Sequence, residues 1–342
     1  MSTIGPLTER MYTATHLTHS GSLGRTVRTG PAEDMGIPSE RYGTEALTRG
    51  DIDAAMAWME YGLDEGRRVF FIFTTWLNEL LAYGRGTVAD FDVRIADLQR
   101  RIGSEPALSL GDDVAQDKAR EAVSCARNRD IDGYTRAFRA IRLAQQRVHD
   151  NQTDWSWGLL TILMEVVGEE RMGEVMRKTM EPWLRERYRA LGGMAPREIF
   201  ELTIEGMRGH HGGPDRSGYV KVTEAPDRWI MEFDPCGTGG RMRRGDPERS
   251  QTPRTDPPFS FSVVQGAYDW TWGERGVCLY CSHCAIVNEI LPIEQHGTPM
   301  RMTEYPRDAN DPCRWTVFKD PQRVPEEAFR RVGKQPTTDR PE

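Results

Sequence analysis

The chain has 342 residues, enough to bury a sizeable core without covalent staples. Its 45 Lys and Arg against 52 Asp and Glu give a net charge of −7 spread along the sequence, which argues against a cationic face for nucleic acid or anionic membranes. The N-terminus lacks a basic stretch followed by an apolar one, and the longest apolar runs are too short or interrupted to span a bilayer, so a cytoplasmic chain with no nucleic-acid or membrane partner is expected.

Residues 1–45 are rich in Gly, Ser, Thr and Pro without a sustained period and read as an irregular N-terminal arm. From Asp51 the pattern becomes helical. About eight apolar-periodic segments run to residue 209, with breaks expected near Gly66 and again between His149 and an N-cap at Thr153. Gly192 reads as a C-cap and Pro196 as the first turn of the last helix. After "HHGGPDRSG" the period switches to two: "RWIMEFD" and "CRWTVFKD" read as strands, with a shorter one in "PMRMTEY" and a single helix in "SHCAIVNEILPIEQ". The polar stretch "GTGGRMRRGDPERSQTPRTDPP" between these elements reads as a lid or a long loop.

The expected class is therefore α+β: a helical domain over residues 46–209, packed on a small Cys-rich antiparallel-sheet domain over 210–320, with a tail over 321–342.

Five of the six cysteines fall between residues 236 and 313, and "VCLYCSHC" alone holds Cys278, Cys281 and Cys284 at two successive C-x-x-C spacings. A reducing compartment makes these thiols or ligands rather than disulfides. A metal needs soft ligands from at least two segments; Cys236 after one strand and Cys313 at the start of another supply them. Zinc held by Cys236, Cys278, Cys281 and Cys284 is the first reading; an iron–sulfur cluster with Cys236 or Cys313 as the remote ligand is the second, and buried structural thiols the third.

Around this run, Glu289 on the following helix is a candidate acid or base beside a metal-bound water, and His149, Asp154 and His210 are candidates at helix junctions. Gly237, Gly239 and Gly240 after a strand, with Arg241, suit a backbone nest for a substrate's acid group. There is no phosphate-binding G-x-x-x-x-G-K-[ST].

The pieces "CLYCSHC" and "DPCRWTVF", with the helices over 153–209 behind them, resemble the L-2-amino-thiazoline-4-carboxylic acid hydrolase family and, more remotely, vinyl-4-reductase-type ligand domains. That resemblance implies hydrolytic opening of a small sulfur- or nitrogen-containing ring, or binding of a small apolar ligand near cysteines. The expected function is a zinc-dependent hydrolase or related lyase acting on C–N or C=N bonds of a small carboxylated or heterocyclic compound. The alternatives are a non-catalytic small-molecule-binding protein with a structural zinc knuckle, or an iron–sulfur redox protein. The partner is a small molecule; homo-oligomerisation is left open.

Overall fold

The computed structural model describes residues 7–21, 23–109, 112–246 and 251–336. It is a mixed structure, mainly helical, with small antiparallel sheets. Among the described residues no helix is long and apolar enough to cross a membrane.

The N-terminal segment is more ordered than its composition suggests. It carries α1 (Glu9–Ala14), a hairpin of β1 (His16–Ser20) and β2 (Arg25–Thr29), and α2 (Ser39–Thr48). The buried Arg28 fixes this segment by donating to the carbonyls of Ile37 (2.6 Å) and Asp34 (2.8 Å) beneath a stack with Tyr42. Such tertiary contacts are invisible to a periodicity reading.

Six helices follow where eight were expected: α3 (Ile52–Thr87), α4 (Phe91–Ile102), α5 (Asp112–Arg127), α6 (Ile131–Val167), α7 (Met172–Leu191) and α8 (Pro196–Gly209). Both mergers have a packing cause. Gly66 does not end a helix; it lets α3 approach α6, because a Cβ there would overlap the Gln145 amide, whose Nε2 donates to the Leu63 carbonyl at 2.9 Å. Thr153 is no N-cap but an interior residue of α6, its hydroxyl donating to the Asp150 carbonyl at 3.1 Å. Genuine starts are Asp51, accepting from Ala54 N at 3.0 Å, and Asp130, accepting from Gly133 N at 2.8 Å. Gly192 and Pro196 end α7 and begin α8 as expected.

The main sheet has the order β3-β4-β8-β7, all antiparallel: β3 (Lys221–Glu224), β4 (Arg228–Phe233), β7 (Met302–Glu304) and β8 (Cys313–Phe318). Trp229, Met231 and Phe233 of β4 point inward with Trp315 and Val317 of β8, against Phe200, Ile204 and Met207 of α8. A two-stranded ribbon of β5 (Val263–Val264) and β6 (Val277–Cys278) leads into the cysteine run.

The stretch expected to be a lid or a long loop is built into the body at its described ends. Gly239–Arg244 forms the short helix α9, with Gly239, Arg241 and Met242 buried, and Arg254 is 2% exposed; residues 247–250 lie outside the described ones. The helix after the run consists of α10 (His283–Ala285), a π turn over Ile286–Ile290 and α11 (Leu291–His296), the wide turn preceding Pro292, which has no N–H to donate. In the C-terminal stretch, α12 (Glu326–Arg330) buries Ala328 and Phe329. The largest hydrophobic cluster draws on both sides of residue 209, joining Phe73, Trp76, Trp157 and Met180 to Leu279, Ile286 and Phe329.

Candidate functional site

The sheet register brings the outlying cysteines to one end of the sheet. Phe233, the last residue of β4, pairs with Cys313, the first of β8, and Cys236 lies three residues past Phe233. The run from β6 folds over this end: Cys284 N donates to the Cys281 carbonyl at 3.1 Å and His283 N to that of Tyr280 at 3.2 Å. Between them lies a cavity of about 60 Å³ lined by Cys236, Cys281, Cys284 and Cys313, with His210, Arg243, Tyr280, Tyr305 and Trp315.

Cys278 is not among the lining residues. It is 2% exposed, its Sγ accepts from Cys281 N at 3.2 Å and its own N–H donates to the Tyr305 hydroxyl at 3.0 Å, so Cys313 takes the place expected for it. Among the described residues no three His, Cys, Asp or Glu side chains are placed to hold one metal ion. Zinc therefore fits poorly: the donors are of the right type but not gathered at one point. Cys236, Cys281, Cys284 and Cys313 supply four sulfurs from three segments around one cavity.

Among the described residues one cation, Arg243, faces the thiols of this cavity. Burial pushes the Cys281, Cys284 and Cys313 thiols up, so an isolated thiolate is disfavoured, and mutual repulsion adds to this. Burial alone would push Arg243 down, but its attraction to Cys281, Tyr305, Cys278 and Cys313 holds it above the ordinary value. Its guanidinium stacks 4.6 Å from the Tyr305 ring centroid and donates to the Arg307 carbonyl at 2.8 Å, leaving its charge without a carboxylate partner among the described residues.

The glycines serve close packing rather than an anion nest. A Cβ at Gly237 would overlap the His210 carbonyl, and one at Gly239 would overlap the Cys281 sulfur; a Cβ at Gly240 would lie 3.1 Å from Cys236 Cβ. Gly239 and Gly240 line the cavity and Gly237 does not. Arg241 is not available to a substrate: it is 2% exposed and donates through Nη2 to Asp154 Oδ1 at 2.6 Å and Thr153 Oγ1 at 2.9 Å. Arg254 grips the same carboxylate at 2.9 and 3.1 Å, making Asp154 the bridge between two buried guanidiniums and not an acid or base. Glu289, fully buried, is likewise spoken for: it accepts from Trp272 Nε1 (2.9 Å), Thr303 N (2.9 Å) and Arg331 Nη2 (2.6 Å).

His149 and His210, 61 residues apart, do meet. His149 Nδ1 lies 3.1 Å from Asp150 Oδ1, and its Nε2 lies 3.2 Å from His210 Nδ1. Nε2 of His210 makes no hydrogen bond among the described residues, and His210 lines the thiol cavity. Burial, outweighing the pull of Asp150, keeps His149 below the ordinary histidine value; burial and the neighbouring His149 and His211 take His210 well below it. Burial pushes the Asp150 carboxyl up, but Arg241 and Arg216 together with His149 hold it well below the carboxylate range.

His211 completes this group. It is 3% exposed, has no hydrogen bond at either ring nitrogen among the described residues, and adopts a left-handed backbone at φ +54°, a costly conformation for a non-glycine residue. Arg216 braces the turn by donating from Nε to the His211 carbonyl (2.7 Å) and from Nη2 to Asp150 Oδ1 (2.7 Å) and the Gly237 carbonyl (3.1 Å). Sequence reading missed Asp150 and Arg216, because a carboxylate within a helix and an arginine in a turn carry no local signal. Set against known proteins, the chain matches no family model, no curated protein and no solved structure.

Proposed function

We propose that the protein is an iron–sulfur redox protein, with Cys236, Cys281, Cys284 and Cys313 as the cluster's ligands. The observation that carries this reading is that those four thiols, from three segments, line one cavity. When bound, such a cluster supplies one-electron chemistry. The chain's own groups do the rest: Arg243 offsets negative charge, Tyr280, Tyr305 and Trp315 keep water from the sulfurs, and His210 offers Nε2 as a proton site backed by His149 and Asp150.

Anaerobic purification followed by iron and acid-labile sulfide analysis tests this. Both elements are expected, with a brown protein. Separate C236S, C281S, C284S and C313S variants should each lose most of the iron, while C278S keeps it. Zinc without sulfide, or iron retained in C313S and lost in C278S, would overturn the assignment.

The zinc-dependent hydrolase suggested by the family resemblance is the second reading. What favours it is the imidazole pair on Asp150, an arrangement suited to moving a proton beside a reacting carbon. It requires the sulfurs to close around one ion.

A further inference from the structure

Behind His210 and Cys284 lies a second cavity, of about 70 Å³, which shares His210, His283, Cys284 and Trp315 with the thiol cavity. Phe73, Trp76, Trp183 and Trp315 give it aromatic walls, and its permanently charged groups are Arg187 and Arg301; among the described residues no carboxylate lines it.

Arg301 is 5% exposed and donates from Nε to Asn288 Oδ1 at 2.6 Å and from Nη1 to Thr203 Oγ1 at 2.7 Å, both neutral acceptors. Its guanidinium lies 4.8 Å from the Trp315 ring centroid. Arg187, partly buried on α7, makes no hydrogen bond or ion pair among the described residues. The carboxylate whose field it feels is Glu205, already held by Arg25 at 2.7 and 3.0 Å and by the Tyr61 hydroxyl at 2.7 Å. Burial and the facing Arg187 push Arg301 down to about 9. Elsewhere in this protein, buried Arg208, Arg241 and Arg254 each sit against a carboxylate, at 2.6, 2.6 and 2.9 Å. Among the described residues, Arg187 and Arg301 thus face an aromatic cavity without a carboxylate partner.

We propose that Arg187 and Arg301 bind the carboxylate of a small planar acid, whose unsaturated body runs between the tryptophans toward Cys284 and the thiol cavity. This names the substrate class for the redox reading above and rests on it. A carboxylate matches the planar forks of two guanidiniums, and the flat walls take an aromatic or conjugated body in preference to a hydrated oxyanion.

Isothermal titration of the holoprotein with benzoate, its neutral analogue benzamide and inorganic phosphate tests the proposal. Benzoate should bind at least tenfold more tightly than benzamide or phosphate. R301Q should lose at least tenfold in benzoate affinity, and R187M should lose as much while melting no lower than wild type, since Arg187 has no bond to lose among the described residues. R189Q, an exposed neighbour on the same helix, should bind as wild type does. No benzoate binding, equal binding of benzoate and benzamide, tighter phosphate binding, or full affinity in R187M would each overturn it. Iron analysis of the same samples separates the two claims: protein that lacks iron yet binds benzoate through Arg187 sinks the cluster and leaves the acid site standing.

Discussion

Lowering the pH from 7 to 5.5 should destabilise this protein, before carboxylates at their ordinary value of about 3.9 to 4.3 titrate. His210 and His211 are kept neutral in the fold by burial and by facing cations and imidazoles: His149, His283 and Arg187 around the first, His149, Arg216 and Arg142 around the second, with Asp150 opposing. A base whose folded pKa is depressed leaves the unfolded chain to take up the proton, so stability is complete above the unfolded value of about 6.5 and falls as pH drops below it. One unit below that value, each such histidine costs about 1.4 kcal/mol, so the pair costs about 3 kcal/mol at pH 5.5, with a smaller share from His149. Asp150, held low, contributes in the same sense only below the ordinary carboxylate value of about 3.9, outside this window. Urea unfolding at pH 7.0, 6.0 and 5.5 reads the loss, and His211→Asn isolates one share because asparagine tolerates the left-handed backbone. The variant should lose about 1.4 kcal/mol less than wild type at pH 5.5. A wild-type midpoint that does not move, or a variant that tracks wild type, would show these imidazoles charged in the fold and refute the reasoning.

Two substitutions test the frame of the site. Asp154→Ala strands Arg241 and Arg254 without their shared carboxylate and should cost about 3–5 kcal/mol by urea denaturation; a loss under about 1 kcal/mol would mean that the bridge is not structural. Gly239→Ala sets a methyl group against the Cys281 sulfur and should cut bound iron by more than half while the melting temperature changes little; undiminished iron would count against Cys281 as a ligand.

How much of this was legible in the sequence depended on whether the signal was local. The alternation in "RWIMEFD" and "CRWTVFKD" was sufficient for β4 and β8, and with them for the meeting of Cys236 and Cys313, because residue parity sets the face and strand ends set the place. The C-x-x-C spacing marked the run but could not say which sulfurs face the cavity: Cys281 and Cys284 line it, while Cys278 turns away to receive the Cys281 amide. Gly66 looked like a helix stop because the Gln145 amide that needs its bare face lies 79 residues further on. Arg241 looked free for a substrate for the same reason, since Asp154, its partner, comes from a different helix. Glu289 had the right residue type in a fitting position, yet Trp272, Thr303 and Arg331 use both its oxygens. Charges were easy to count and hard to assign, because pairing is decided by tertiary approach.

Arg216 touches three things at once: the carbonyl of His211, the carboxylate of Asp150 and the carbonyl of Gly237, one residue past Cys236. One rigid planar group thus pins the imidazole turn, the long helix and the sulfur-bearing loop to a common point. A shift of the Gly237 carbonyl, next to Cys236, would be felt at Asp150 and at the His211 turn through the same guanidinium.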